Sequence, residues 1–205
     1  MAAADRDETP AGDALGEQFA ATEHPDIMGG GEFHRGLFGG ARLGNQAVEL
    51  QALFPRAAIN VINRGVNGET AVEMLARFDT QVLPDKPDIV IWQVGSNSVL
   101  REQPIAPVNT LVHAGIDKLK AAGVDVILMN PQYALRFISK PDADKMVDLI
   151  DLIAKEMNVD LFQRYAVMRY WRLTENIPFL TFTSPDEVHM NDWGYGCLAK
   201  LIAGS

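Results

Sequence analysis

The chain is poor in cysteine, in basic charge and in long apolar runs, and each shortage removes a class of function. Cys197 is the one cysteine among 205 residues, which excludes an internal disulfide and a multi-cysteine zinc site. Lysine and arginine number 18 against 27 aspartates and glutamates, a formal net charge of −9. Neither nucleic acid nor an anionic membrane is therefore expected as the main partner. No apolar run approaches the roughly 18 residues of a membrane-spanning helix. The opening "MAAADRDETPAG" is acidic and is no signal peptide; as written the chain is expected in the cytoplasm, although a different authentic start would leave room for an export signal. A further absence bears on chemistry: residues 1–95 contain no serine, and Ser96 is the first.

What is present describes one globular domain with a sizeable core. The chain is 47% hydrophobic and 22% charged, ordinary for such a fold. From about residue 41 helical and strand patterns alternate. "ARLGNQAVELQALF" places Leu43, Ala47, Leu50 and Phe54 at helical spacing, and "AINVIN" follows as a strand. "ETAVEMLARFDTQVL" reads as one helix with Ala71, Leu75, Phe78 and Val82 on one face. "DIVIWQVG" and "VDVILMN" are continuous apolar runs, as in strands buried on both faces. "PVNTLVHAGIDKLKAAG", "DADKMVDLIDLIAKEMN", "QRYAVMRYWRL" and "NDWGYGCLAKLIA" are predicted helices, and "VDLF" a short strand. This alternation predicts an α/β fold with a parallel sheet between helices, whose sites form at the carboxyl ends of the strands.

Two Gly/Asn turns fall at such ends: "NRGVNGET" after "AINVI", and "GSNSVL" after "DIVIWQV". Turns of this kind present backbone N–H groups and a side-chain amide to one spot, which suits an oxyanion formed in acyl transfer, although Gly and Asn also serve simply as turn residues. Near the C-terminus, "SPDEVHMNDWGYG" sets Asp186 three residues before His189. A histidine with a carboxylate at this spacing suits a general base and its orienting partner; the alternative is an aspartate capping a turn and a histidine packed on Trp193.

These blocks resemble those of the SGNH hydrolases, the GDSL esterases and lipases, and are closest to a bacterial branch. The resemblance covers about residues 41–203. It implies a three-layer α/β/α, flavodoxin-like fold and hydrolysis of a carboxylic ester through a serine acyl-enzyme, with a small-molecule ester as partner and no cofactor or metal. It assigns the base to His189, its orienter to Asp186, and oxyanion-hole donors to the Gly68 N–H and the Asn97 side chain. Ser98 stands where the family's third block usually carries aspartate.

The family's first block, a strand ending in G-D-S-L or a variant that carries the nucleophile, has no clear counterpart. The nearest likeness is Gly12-Asp13-Ala14-Leu15, with Ala14 at the serine position. The polar "MAAADRDETP" before it makes no strand, Ile27 is the only β-branched aliphatic residue among residues 1–47, and "DIMGGGEFHRGLFGGARLG" is glycine-rich and aperiodic. The first strand of the fold is thus expected to be missing or doubtful. Residues 1–40 read as an atypical segment ahead of an SGNH-like domain at 41–205. A foreign reading frame or start, a natural pseudoenzyme, and a replaced nucleophile are the competing origins, and joint loss of strand and serine favours the first. Ser96, Ser98, Ser184 and Thr22 are weak substitutes for the nucleophile. Trp193 and Tyr195 read as core or rim, and His24, His34 and His113 lie in no motif. Cys197 reads as a small buried thiol, and the acid-rich helix after Pro141 as a solvated face. The alternative to a hydrolase is an inactive member of the fold that binds a ligand or a partner; a flavodoxin-like nucleotide binder is disfavoured because no Gly-rich phosphate loop opens the first recognisable helix.

Overall fold

The computed structural model describes residues 33–38 and 44–204. Five strands, β1 (Phe33–Phe38), β2 (Ala58–Asn63), β3 (Ile89–Gln93), β4 (Asp125–Met129) and β5 (Asp160–Phe162), form one sheet in the order β2-β1-β3-β4-β5. Every pairing is parallel. The helices are α1 (Gly44–Leu53), α2 (Ala71–Ala76), α3 (Ser96–Leu100), α4 (Ala106–Ala121), α5 (Ala143–Met157), α6 (Arg164–Leu173) and α7 (Asp192–Ala203), with single helical turns at Leu135–Ile138 and Phe179–Phe182.

Alternation along the inner strands sorts the core into two layers. Val90 and Trp92 of β3, with Val126 and Leu128 of β4, pack against Val112, Ile116 and Leu119 of α4 and Ile150 and Ile153 of α5. Ile91 and Met129 point the other way, toward Val167 and Met168 of α6 and Leu198 of α7. Helices on both faces explain why these strands read as continuous apolar runs.

Two expectations are corrected. The first strand is not missing: Phe33–Phe38, inside the segment that reads as aperiodic, fills the slot between β2 and β3. Its register runs from Phe33 opposite Ala58 to Phe38 opposite Asn63, and from Gly36 opposite Ile89 to Phe38 opposite Ile91. Backbone pairing on both sides gives this stretch its extended form despite a sequence without Val or Ile. The long helix expected after Glu69 also breaks. α2 stops at Ala76, Phe78–Val82 forms a π-helical turn, and Leu83–Asp85 a 3₁₀ turn. Pro84 lacks an N–H for the Thr80 carbonyl and its ring crowds that group, so a regular helix cannot run through. Ala71, Phe78 and Val82 are nevertheless all buried.

The central position of β1 makes it sensitive to loss of a single donor. Gly36→Pro removes an N–H from a strand paired on both sides and strands the partner carbonyl, a cost of about 1–3 kcal/mol before any ring clash. Urea denaturation should show at least that loss, and an unchanged midpoint would place β1 outside the sheet.

Candidate active site

The carboxyl ends of β2 and β3 and the segment before α7 surround a cavity of about 690 Å³. Gly68, Asn97 and His189 all line it, and Ser184 joins them. Asp186 stands behind His189, hydrogen-bonded to its ring. Ala14 and Thr22 lie outside the described residues.

The D-x-x-H stretch is a closed turn. Thr183 and Met190 form an antiparallel bridge, the Ser184 N–H donates to the His189 carbonyl at 2.7 Å, and the Glu187 N–H to the Ser184 carbonyl at 3.0 Å. Glu187 takes a left-handed conformation, φ +60°, which reverses the chain. Within the loop, Asp186 Oδ1 accepts the Val188 and His189 backbone N–H groups, each at 3.0 Å. Its Oδ2 accepts from His189 Nδ1 at 2.5 Å. An ionised carboxylate only accepts, so the proton on this side of the ring sits on Nδ1 and Nε2 is left for a reacting group. The turn is anchored by Asn191, which caps α7 by accepting from the Gly194 N–H at 3.0 Å. The Asn191 amide also donates to the Leu180, Thr181 and Thr183 carbonyls.

The turn after β2 is held as firmly. Gly68 has φ +82°, a conformation that favours glycine, and an added Cβ would meet the Arg101 guanidinium at 3.3 Å. Asn97 Nδ2 donates to the Glu69 carbonyl at 2.8 Å, Arg77 Nε donates to Glu69 Oε2 at 2.7 Å, and Thr70 caps α2 through a reciprocal box with Glu73. One amide hydrogen of Asn97 ties the two turns together, and its NH₂ carries a second. Asn97 sits in α3, which follows Gly95 at φ +97°; a Cβ on Gly95 would stand 2.9 Å from Met146 Cγ, inside the core.

The described serines weighed as substitute nucleophiles are buried or hydrogen-bonded elsewhere. Ser96 is buried and donates to Gln132 Oε1 at 2.7 Å. Ser98 is 2% exposed. Ser184 Oγ donates weakly to the Met190 carbonyl at 3.4 Å. Among the described residues no hydroxyl is hydrogen-bonded to His189. Cys197 lies half-buried in α7, and burial pushes its thiol pKa up. Trp193, 44% exposed, and Tyr195 stand at the cavity wall. His113, mid-way along α4, places Nε2 3.4 Å from Glu156 Oε2. The acid-rich helix, α5, is not wholly a solvated face: Asp151 is half-buried and accepts from Asn130 Nδ2 at 3.1 Å and Gln163 Nε2 at 3.4 Å, and burial pushes its carboxyl pKa up. Sequence reasoning missed Gln93 and Gln132 on the cavity wall, because neither belongs to a motif.

Burial alone pushes the Asp186 carboxyl up, but the bonds from the His189 ring and the Val188 and His189 N–H groups outweigh it and hold the pKa at about 2, below the ordinary 3.8. A depressed folded-state pKa adds stability that is fully present above the unfolded value and is lost as pH falls through the folded one. A carbon-detected NMR titration should place the Asp186 midpoint near 2, and Asp186→Asn should flatten the stability profile between about pH 4 and 2. A midpoint at the ordinary carboxylate value would mean that the His189 contact is absent in solution.

A profile of the non-GDSL lipase-like family matches residues 42–205. An acetylxylan esterase of Geobacillus stearothermophilus is 33% identical over 79 residues, covering 38% of this chain and 36% of that one. An arylesterase of Vibrio mimicus is 27% identical over 107 residues, 50% of this chain and 51% of that one. The matched stretches thus span about a third to a half of these relatives. Among solved structures, a lipase/acylhydrolase from Enterococcus faecalis aligns with a TM-score of 0.72 at 22% identity, over 84% of this chain and 94% of that one. The acetyl xylan esterase AlAXEase aligns at 0.69 and 22%, over 82% and 97%. The likeness of fold therefore runs the length of those structures, and with the profile match over four-fifths of the sequence it establishes that this chain belongs to the non-GDSL lipase-like family, within the SGNH/GDSL hydrolases.

Proposed function

We propose that this site is built for hydrolysis of small carboxylic esters. The observation that carries the reading is the meeting of a His189–Asp186 pair with Gly68 and Asn97 on one cavity. In acyl transfer the histidine takes a proton from the nucleophile and returns one to the leaving alcohol, while the carboxylate holds the tautomer and stabilises the imidazolium. The Gly68 N–H and the second Asn97 amide hydrogen act as donors to the oxyanion. The names of the relatives, an acetylxylan esterase and an arylesterase, make acetyl and aryl esters the first substrates to try.

The nucleophile is impaired in this reading. The family places its serine directly after the first strand. In this sequence β1 is followed by Gly39-Gly40-Ala41-Arg42-Leu43, which holds no serine, threonine or cysteine. These residues lie outside the described ones, and the proposal rests on their order alone: Gly39-Gly40-Ala41 occupies the place of G-D-S, so Ala41 replaces the nucleophile. Ala14, by contrast, precedes the strand. The same observation favours a second reading, a protein that binds an ester-like ligand without turning it over.

Activity assays separate the readings. The purified chain should hydrolyse p-nitrophenyl acetate feebly, without a burst of nitrophenol, and resist a fluorophosphonate label. His189→Ala should change that rate little, because the base has no serine proton to accept. Ala41→Ser should gain both the burst and the label, with rates at least about 100-fold higher, the lower range for base-assisted attack, and this gain should vanish with His189→Ala. A burst and label already present in the unaltered chain would reveal another nucleophile, which mass spectrometry of the labelled peptide would locate. An inert Ala41→Ser chain that still binds ester analogues would support the binding reading.

A further inference from the structure

We propose that the cavity holds a second recognition site, for a carboxylate on the ligand, formed by the side-chain amides of Gln93 and Gln132 and charged from behind by Arg164. The inference takes the ester part of the ligand from the hydrolase reading; the anion site stands on its own geometry.

Arg164 opens α6 and is 2% exposed. Its Nε donates to the Asn130 carbonyl at 3.1 Å, Nη1 to Gln93 Oε1 at 2.7 Å and Nη2 to Gln132 Oε1 at 2.9 Å. All three acceptors are neutral, and among the described residues no carboxylate pairs with it. The two arginines that line the cavity are already paired, Arg64 with Asp85 at 2.6 Å and Arg77 with Glu69 at 2.7 Å. Burial pushes the Arg164 pKa down to about 10, which leaves it charged at neutral pH. A buried charge without a counter-charge is costly, and nearby dipoles offset only part of that cost.

A guanidinium has donors only, so both glutamine oxygens must face it and both Nε2 groups must turn away. Ser96 Oγ donates to the same Gln132 oxygen at 2.7 Å and fixes that amide from a second side. Gln93 and Gln132 both line the cavity, and Gln132 is only 6% exposed. Among the described residues neither Nε2 has an acceptor. A buried, polarised NH₂ without an acceptor is an unmet demand. A carboxylate meets it with one oxygen for each amide, and the guanidinium behind favours that anion over a neutral carbonyl. Since Ser96 directly precedes Asn97, the site adjoins the proposed oxyanion donors. The ligand that fits is a short ester carrying a free carboxylate, a half-ester of a dicarboxylic acid.

Binding tests this without turnover. Isothermal titration of the full chain with N-ethylsuccinamate, an uncleavable half-ester analogue, is compared with N-ethylbutyramide, which carries methyl in place of the carboxylate. The anion should bind about tenfold or more tightly, as expected for a charge-assisted contact. Gln132→Glu supplies Arg164 with a carboxylate and should erase that preference, while the neutral amide stays within about twofold and the thermal midpoint holds. Gln93→Glu should act in the same direction. Equal affinities in the unaltered chain, no binding of either ligand at millimolar concentration, or a preference that survives both substitutions would overturn the proposal. Failure of the hydrolase reading gives a different pattern: no ester turnover even in Ala41→Ser, with the anion preference intact.

Discussion

The backbone ladder of β1 is the constraint on which the rest depends. Each non-proline residue of a strand carries a donor and an acceptor that must be met once water is excluded. β2 and β3 each present a row of such groups toward the middle of the sheet, and β1 alone stands between them. Without it those rows are orphaned, and a few groups at about 1–3 kcal/mol each would rival the roughly 5–15 kcal/mol that stabilises a typical domain. That demand explains how a stretch with histidine, arginine and glycine occupies a position that parallel sheets usually give to valine and isoleucine.

The same strand sets the spacing of the candidate site. β2 and β3 lie two strand separations apart, roughly 10 Å, so the turns that leave them do not meet through the sheet. They meet above it. Asn97 reaches over to the Glu69 carbonyl, and the Arg77–Glu69 pair and the Thr70 box keep that carbonyl in place. The histidine turn is set independently, by its Asp186 contacts and by the Asn191 cap. The Asn97-linked turns and the histidine turn thus line one cavity. Such preorganisation suits the proposed oxyanion site, since donors that need no rearrangement retain their full effect in the transition state.

What was legible in the sequence was what is encoded locally. Asp186 and His189 are three residues apart and their contact is made within one turn; Gly68 and Asn97 follow apolar strand runs directly. β3 and β4 announce themselves by continuous burial, and α4 by Gly123 at its end, where φ is +74°. β1 was not legible, because its extended form comes from partners distant in sequence and its own residues have little strand propensity. The break after Ala76 was hidden for the opposite reason: the apolar spacing through Val82 is helical, and one proline overrides it. Gln93, Gln132 and Arg164 carry no motif, and only the sheet order places the ends of β3, β4 and β5 side by side.

These last residues bear on what the proposed absence of a nucleophile would leave in place. Nucleophilic attack depends on one oxygen at one place, so a single replacement closes the acyl-enzyme route. Recognition depends on many groups that the fold itself maintains. The Arg164 guanidinium is held by Gln93 at the end of β3 and by Asn130 and Gln132 after β4; the Asp186–His189 turn and the Asn97–Glu69 tie involve no nucleophile. A chain without the serine would thus keep a cavity lined by Gly68, Asn97, Gln93 and Gln132. Buried donors without acceptors cost stability, and a ligand that accepts from them lowers that cost when it binds. The cavity-lining amides therefore suit the proposed oxygen-rich ligand, whether or not this chain then cleaves it.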